Sequence, residues 1–142
     1  MKKTLATLIK LQKTYVDEQH LVLSSLQARL EEIDVAIMEL EVRKVREQMA
    51  VKEDPAAAVT YGAFLSRAVQ KSRELEKQRI IAEKAVNAAR ERLAELFEEQ
   101  KRYEIAEEHR LAEELKEELR RERIDLDEVG SVSFERRMRK RG

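Results

Sequence analysis

The sequence predicts an all-α protein, a long antiparallel two-helix coiled-coil hairpin. Three observations carry this. Asp, Glu, Lys and Arg make up 41% of the 142 residues and aromatics only 4%, against about 25% charged residues in an ordinary globular domain. The chain has one proline and three glycines. On both sides of that proline, apolar residues recur at alternating steps of three and four, the signature of a helix-to-helix seam.

Helix 1 is expected over about 3–52. Its seam is Leu23, Leu26, Leu30, Ile33, Ile37 and Leu40. Upstream, the same phase gives Ile9, Gln12, Val16 and Gln19, a weaker stretch. A second stripe, Val35, Met38, Val42, Val45 and Met49, rotates away from the first. It marks either more buried surface or a docking face.

The break is expected within 52–61. Proline disfavours helical geometry in the residue before it. Asp54 is suited to cap a new helix with Pro55 in its first position, and Thr60 is a second candidate cap. Helix 2 is expected over about 61–127. Its register runs Tyr61, Leu65, Ala68, Ser72, Leu75, Arg79, Ala82, Val86, Ala89, Leu93, Leu96, Gln100 and Tyr103. The alanines permit close approach of the two helices. The apolar register then slips to Ile105, Ala112, Leu115, Leu119 and Leu126, which locally changes coiling. Gly130 is the expected terminator. Residues 131–142 read as a basic tail that is disordered or ordered by a partner, so the hairpin proper is expected to fill 1–130.

Glu-first pairs at i,i+4, such as Glu39–Arg43, Glu98–Arg102 and Glu117–Arg121, each support an exposed helix by roughly 0.2–0.5 kcal/mol. At about 1.5 Å per residue the helices span roughly 75 Å and 100 Å. A turn near residue 56 sets Leu5 opposite the region of residue 107 and leaves helix 2 about 20 residues longer than its partner. Such a pair encloses no substrate pocket of a few hundred Å3.

Catalytic and cofactor chemistry finds no footing in the residues. His20 and His109 stand far apart and read as surface histidines. There is no Cys for zinc or disulfides, and no HExxH, phosphate-binding Gly-rich loop or GxSxG. The clusters Glu98-Glu99, Glu107-Glu108, Glu113-Glu114 and Glu117-Glu118 imitate di-iron ligand runs, but a ferritin-like site needs Glu-x-x-His. Ala106 precedes His109 by three residues and Asp17 precedes His20. These acids read as a solvated face, and no metal or cofactor is expected. Net formal charge is zero, with 29 acids and 29 bases, which argues against nucleic acid as a partner. No apolar h-region follows Lys2 and Lys3, and no run of about 20 apolar residues is present to span a bilayer. A cytoplasmic protein is expected.

Two segments leave alternatives open. Arg136-Arg137-Met138-Arg139-Lys140-Arg141 is either an anchor for anionic lipid or an acidic partner, or a solubilising end. Residues 107–128 carry ten acids against five bases, so folding back on them is a further reading of this basic end. Tyr61, Phe64 and Leu65 either close the end of the coiled coil or form a partner-binding anchor, since aromatic residues are enriched at hot spots.

Several segments resemble the FliJ family of the flagellar type III export apparatus. The start Leu5-Ala6-Thr7-Leu8, the opening of helix 2 at Tyr61-x-x-Phe64-Leu65, and Lys101-x-Tyr103-Glu104 are similar to that family. So are Arg121-Glu122-Arg123-x-x-Leu126-Asp127-Glu128 and the following Phe134. The resemblance covers nearly the whole chain. It implies a non-enzymatic antiparallel coiled coil, similar to the stalk of rotary ATPases. It further implies three partners: a hexameric export ATPase, a membrane export-gate protein and export chaperones. Through them the protein is expected at the inner face of the cell membrane. The gate contact carries over onto Leu40, Tyr61, Phe64 and Ala68, the last smaller than the family pattern. The paired terminal ends would occupy the ATPase ring, with Leu5, Leu8, Leu111, Leu115 and Leu119 as the contact residues. The competing reading is a structural coiled-coil homodimer or spacer with no role in export.

Overall fold

The computed structural model describes residues 2–141. It is all-α: helix α1 (Lys2–Glu53), a short 3-10 turn (Pro55–Ala57) and helix α2 (Ala58–Arg141), with no strand among the described residues. The chain forms a two-helix hairpin whose break follows directly from Asp54-Pro55. Asp54 leaves the helical region (φ −135°, ψ 103°), and its carboxylate accepts from the Ala56 N–H at 3.1 Å. Pro55 occupies the first position of the turn, where its missing N–H costs nothing. The Ala57 N–H closes the turn on the Asp54 carbonyl at 3.0 Å. Thr60 is not a cap. Its hydroxyl donates back to the Ala57 carbonyl at 2.9 Å from within α2.

The chain divides into two compact units, residues 13–97 and a second unit of residues up to 12 with those from 98 onward. In the 13–97 unit, α1 and α2 pair antiparallel. Gln19 Nε2 donates to the Ala89 carbonyl at 3.2 Å, Asp34 meets Arg79 at 2.7 Å, and Arg43 lies over the Phe64 ring at 5.1 Å. From α1, Val16 and Ile33 are buried, with Leu23, Leu26 and Leu30 half-buried between them and Ile37 and Leu40 half-buried beyond Ile33. From α2, the buried residues are Phe64, Ala68, Leu75, Ala82, Val86, Ala89, Leu93 and Leu96. Val16 packs with Leu93 and Leu96, and Leu23 lies against them. The core is thus a single seam that alternates large and small side chains, which lets the helices close on each other.

The seam departs from the expected register at its start. It takes Phe64 rather than Leu65, which is exposed. Phe64, Ala68 and Ser72 follow in two consecutive steps of four, a local unwinding of the heptad. It brings the larger apolar ring inward, where Arg43 of α1 covers its face. Arg43 was the expected partner of Glu39. Of the other expected i,i+4 pairs, Glu98–Arg102 closes at 4.0 Å and Glu117–Arg121 at 3.5 Å.

Helix 2 does not fade at Asp125–Glu128, and Gly130 does not terminate it. The helix continues to Arg141, and no described residue has positive φ. One helical glycine costs only about 1 kcal/mol relative to alanine. No proline follows it, and Arg139, Lys140 and Arg141 in the last turn complement the negative end of the helix dipole. The expected tail is therefore helical up to Arg141, and Gly142 lies outside the described residues. Gly62 is likewise helical, and open space surrounds the position of its missing Cβ. Gly62→Ala is expected to stabilise the hairpin by about 0.5–1 kcal/mol, read as a rise in thermal midpoint by circular dichroism.

Candidate partner-binding surfaces

Along much of the seam, apolar residues face inward. In two stretches this pattern is inverted. The first is in the 13–97 unit, at the end of α1. The inward, half-buried positions there are Lys44 and Glu47. The apolar stripe Val35, Met38, Val42, Val45 and Met49 faces solvent, with Met38 68% exposed. The stripe is thus an outward face and adds nothing to the buried seam. Of the residues expected at a gate contact, Leu40, Phe64 and Ala68 come together in one shallow hollow with Arg43, Arg67 and Lys71. Phe64 and Ala68 are only 8% and 2% exposed, so their side chains belong to the seam. Tyr61 is half-buried one turn nearer the break.

The second inversion lies in the other unit, on α2. Positions 107, 110, 114 and 117 continue the heptad spacing and are half-buried, but they are Glu107, Arg110, Glu114 and Glu117, whose ion pairs run along α2 itself. The apolar residues of the slipped register face solvent. Leu111, Leu115 and Leu119 are 51%, 57% and 53% exposed, and Ile105, Leu126 and Val129 also face solvent. Every residue from Glu118 to Arg141 is exposed. On α1 in this unit, Leu5, Leu8 and Ile9 are half-buried and Gln12 is buried. Gln12 Nε2 donates to Glu99 at 3.0 Å.

Ion pairs along α2 tie this charged line together. The Arg110 guanidinium grips Glu107 at 2.6 Å and Glu114 at 3.0 Å. The hydrogen bond from Arg110 lowers the Glu107 pKa below the ordinary carboxylate range. The bond to Glu107 in turn raises the Arg110 pKa. Glu117 is lowered in the same way, first by its hydrogen bond from Arg120 at 3.2 Å and then by the charges of Arg120 and Arg121. Such pairs keep this face charged at neutral pH while contributing little net stability.

Nothing in these surfaces resembles an enclosed active site. The described residues contain no cluster of His, Cys, Asp or Glu suited to a metal. His20 meets the edge of Phe97 at 5.7 Å between ring centroids. No described helix is long and apolar enough to cross a membrane.

Comparison with protein families decides the identity. The family model described as "Flagellar FliJ protein" matches residues 1–139. The chain belongs to the FliJ family. Comparisons with curated proteins and with solved structures gave no match. Membership implies a role related to flagellar export, and the two outward apolar faces are where this FliJ-family chain departs from a self-contained coiled coil. Sequence reading had singled out both stripes. The family resemblance had carried the gate contact onto Leu40, Tyr61, Phe64 and Ala68, of which Phe64 and Ala68 are buried in the seam.

Proposed function

We propose that this FliJ-family protein is a stalk and adaptor of the flagellar type III export apparatus. In this reading it binds the hexameric export ATPase, the membrane export-gate protein and export chaperones, and has no catalytic activity. It works in the cytoplasm and reaches the inner face of the membrane through these partners. The observation that carries the proposal is the pair of exposed apolar stripes, Val35 to Met49 on α1 and Leu111 to Leu119 on α2, in a member of this family. Exposed apolar stripes on a helix have no use within the hairpin and are the usual material of helix-to-protein recognition.

The ATPase contact is assigned to Leu111, Leu115 and Leu119 of α2, with Leu5 and Leu8 of α1 in the same unit. A slim helical end suits a narrow ring opening. The gate contact is assigned to the stripe Met38, Val42 and Val45, beside the hollow that holds Leu40, Phe64 and Ala68, with Tyr61 at its border. Arg43, Arg67 and Lys71 around that hollow suit an acidic rim on the gate protein.

Affinity for the purified cognate ATPase tests the first assignment. Leu115→Ser combined with Leu119→Ser is expected to weaken binding at least about tenfold, the loss of one or two modest hot spots. Helicity is expected to be unchanged, because both side chains face solvent. Unchanged affinity in the double variant would remove this surface from the contact.

A further inference from the structure

We infer that the last two turns of α2, from Phe134 to Arg141, bind the surface of a membrane rich in anionic lipid. Five of the six residues from Arg136 to Arg141 are basic, and Glu135 is the last acid of the sequence. All 29 acids therefore lie in residues 1–135, with only the other 24 of the 29 bases. The sequence is neutral as a whole, yet its positive surplus is gathered in this one segment and the remainder is net acidic. An anionic surface attracts that segment and repels the rest.

The structure fixes how these charges are presented. The segment is helical to Arg141, and every residue of it is exposed. Among the described residues none of its five basic side chains enters an ion pair, whereas Arg110, Arg120 and Arg121 earlier in α2 are all paired. At about 100° per residue, the five cationic groups fan over an arc of about 200°. Phe134 and Met138, one turn apart and 64% and 57% exposed, occupy the remaining arc, beside Arg137 and Arg141.

This arrangement selects the occupant. A protein groove reads one stripe of a helix, and a wide fan of cations offers it no single stripe. A plane of mobile headgroups suits the fan, because each cation gathers its own phosphate. Phe134 and Met138 add nothing to a purely electrostatic contact. At a lipid surface they enter the boundary of the acyl chains while Arg137 and Arg141 stay with the phosphates. A cluster of about four to eight basic residues on an amphipathic helix is what an anionic leaflet attracts. No described helix can cross a membrane, so the contact is peripheral. The inference stands independently of the ATPase and gate assignments, whose residues lie outside 134–141.

Flotation of the full chain with vesicles tests the contact. Vesicles of equal parts phosphatidylglycerol and phosphatidylcholine are compared with vesicles of phosphatidylcholine alone. Binding is expected to the first and not to the second, and it should fall as ionic strength rises. Arg137→Gln with Arg141→Gln should weaken it about 25-fold, near fivefold for each charge removed. Lys77→Gln with Lys84→Gln removes as much charge from exposed positions elsewhere on α2 and should leave binding unchanged. The sequence has no tryptophan, so Phe134→Trp supplies a single reporter. Its emission is expected to shift to the blue on the anionic vesicles and not on the neutral ones. Absence of binding, equal binding to both vesicle types, or equal losses in the two charge variants overturns the inference. A reporter whose emission does not move overturns it too. Tighter binding to polyglutamate than to the anionic vesicles would assign this segment to an acidic protein instead.

Discussion

Ile33→Asp is expected to abolish the cooperative melting of the paired 13–97 unit. Ile33 is 3% exposed, at the middle of a seam only one side chain thick. The substitution removes roughly 2–3 kcal/mol of apolar burial and adds the cost of an unpaired carboxylate at an apolar contact. The sum exceeds about 4 kcal/mol, a large share of the stability of a small fold. Ile33→Ala, which leaves only a cavity, should cost about 2–5 kcal/mol. Met38→Asp, on the outward stripe, should shift stability by under about 0.5 kcal/mol. Thermal melts followed by circular dichroism give the ranking. An Ile33→Asp chain that melts like the parent would show that the seam does not run through this residue.

The outward stripe carries the second large effect. Met38→Asp, Val42→Asp and Val45→Asp together are expected to reduce affinity for the export-gate protein by at least about a hundredfold. Three carboxylates would face an apolar recognition surface, at a cost of more than about 1 kcal/mol each. The same triple variant should keep its helicity and thermal midpoint, because all three positions are exposed. Phe64→Ala behaves in the opposite way. Its ring is buried in the seam under Arg43, so it should lower the midpoint more than it lowers gate affinity. Isothermal titration with the gate protein's cytosolic part, run beside melts, separates the two classes.

The contrast between these variants shows what sequence reading resolved. Helix identity and the break were legible because they rest on local chemistry. Asp54-Pro55 can only interrupt a helix and restart it, and the heptads from Leu23 to Leu40 and from Leu75 to Leu96 admit one inward face. The choice between Phe64 and Leu65 was not legible, since both lie within one helical step of the seam. That choice depends on Arg43 of the facing helix reaching the Phe64 ring, a contact distant in sequence. The end of α2 was misread for another reason. Gly130 followed by a basic run carries the composition of a helix terminus, but a glycine ends a helix only where the backbone turns to positive φ, and here it does not. The slip of the apolar register at Ile105 was legible as a pattern, but hydrophobicity alone sets no direction for it. With Glu107, Arg110 and Glu114 tied together by ion pairs, the charged line stays half-buried and the leucines stay outside.

The central claim is that two outward apolar faces serve two different partners. The most direct measurement follows hydrolysis by the purified export ATPase and binding to the gate protein for the same two variants. Leu115→Ser with Leu119→Ser is expected to lose stimulation of hydrolysis and to keep gate binding. Met38→Asp with Val42→Asp and Val45→Asp is expected to lose gate binding and to keep stimulation. Loss of both activities in both variants, or of neither in either, would contradict the assignment of one face to each partner.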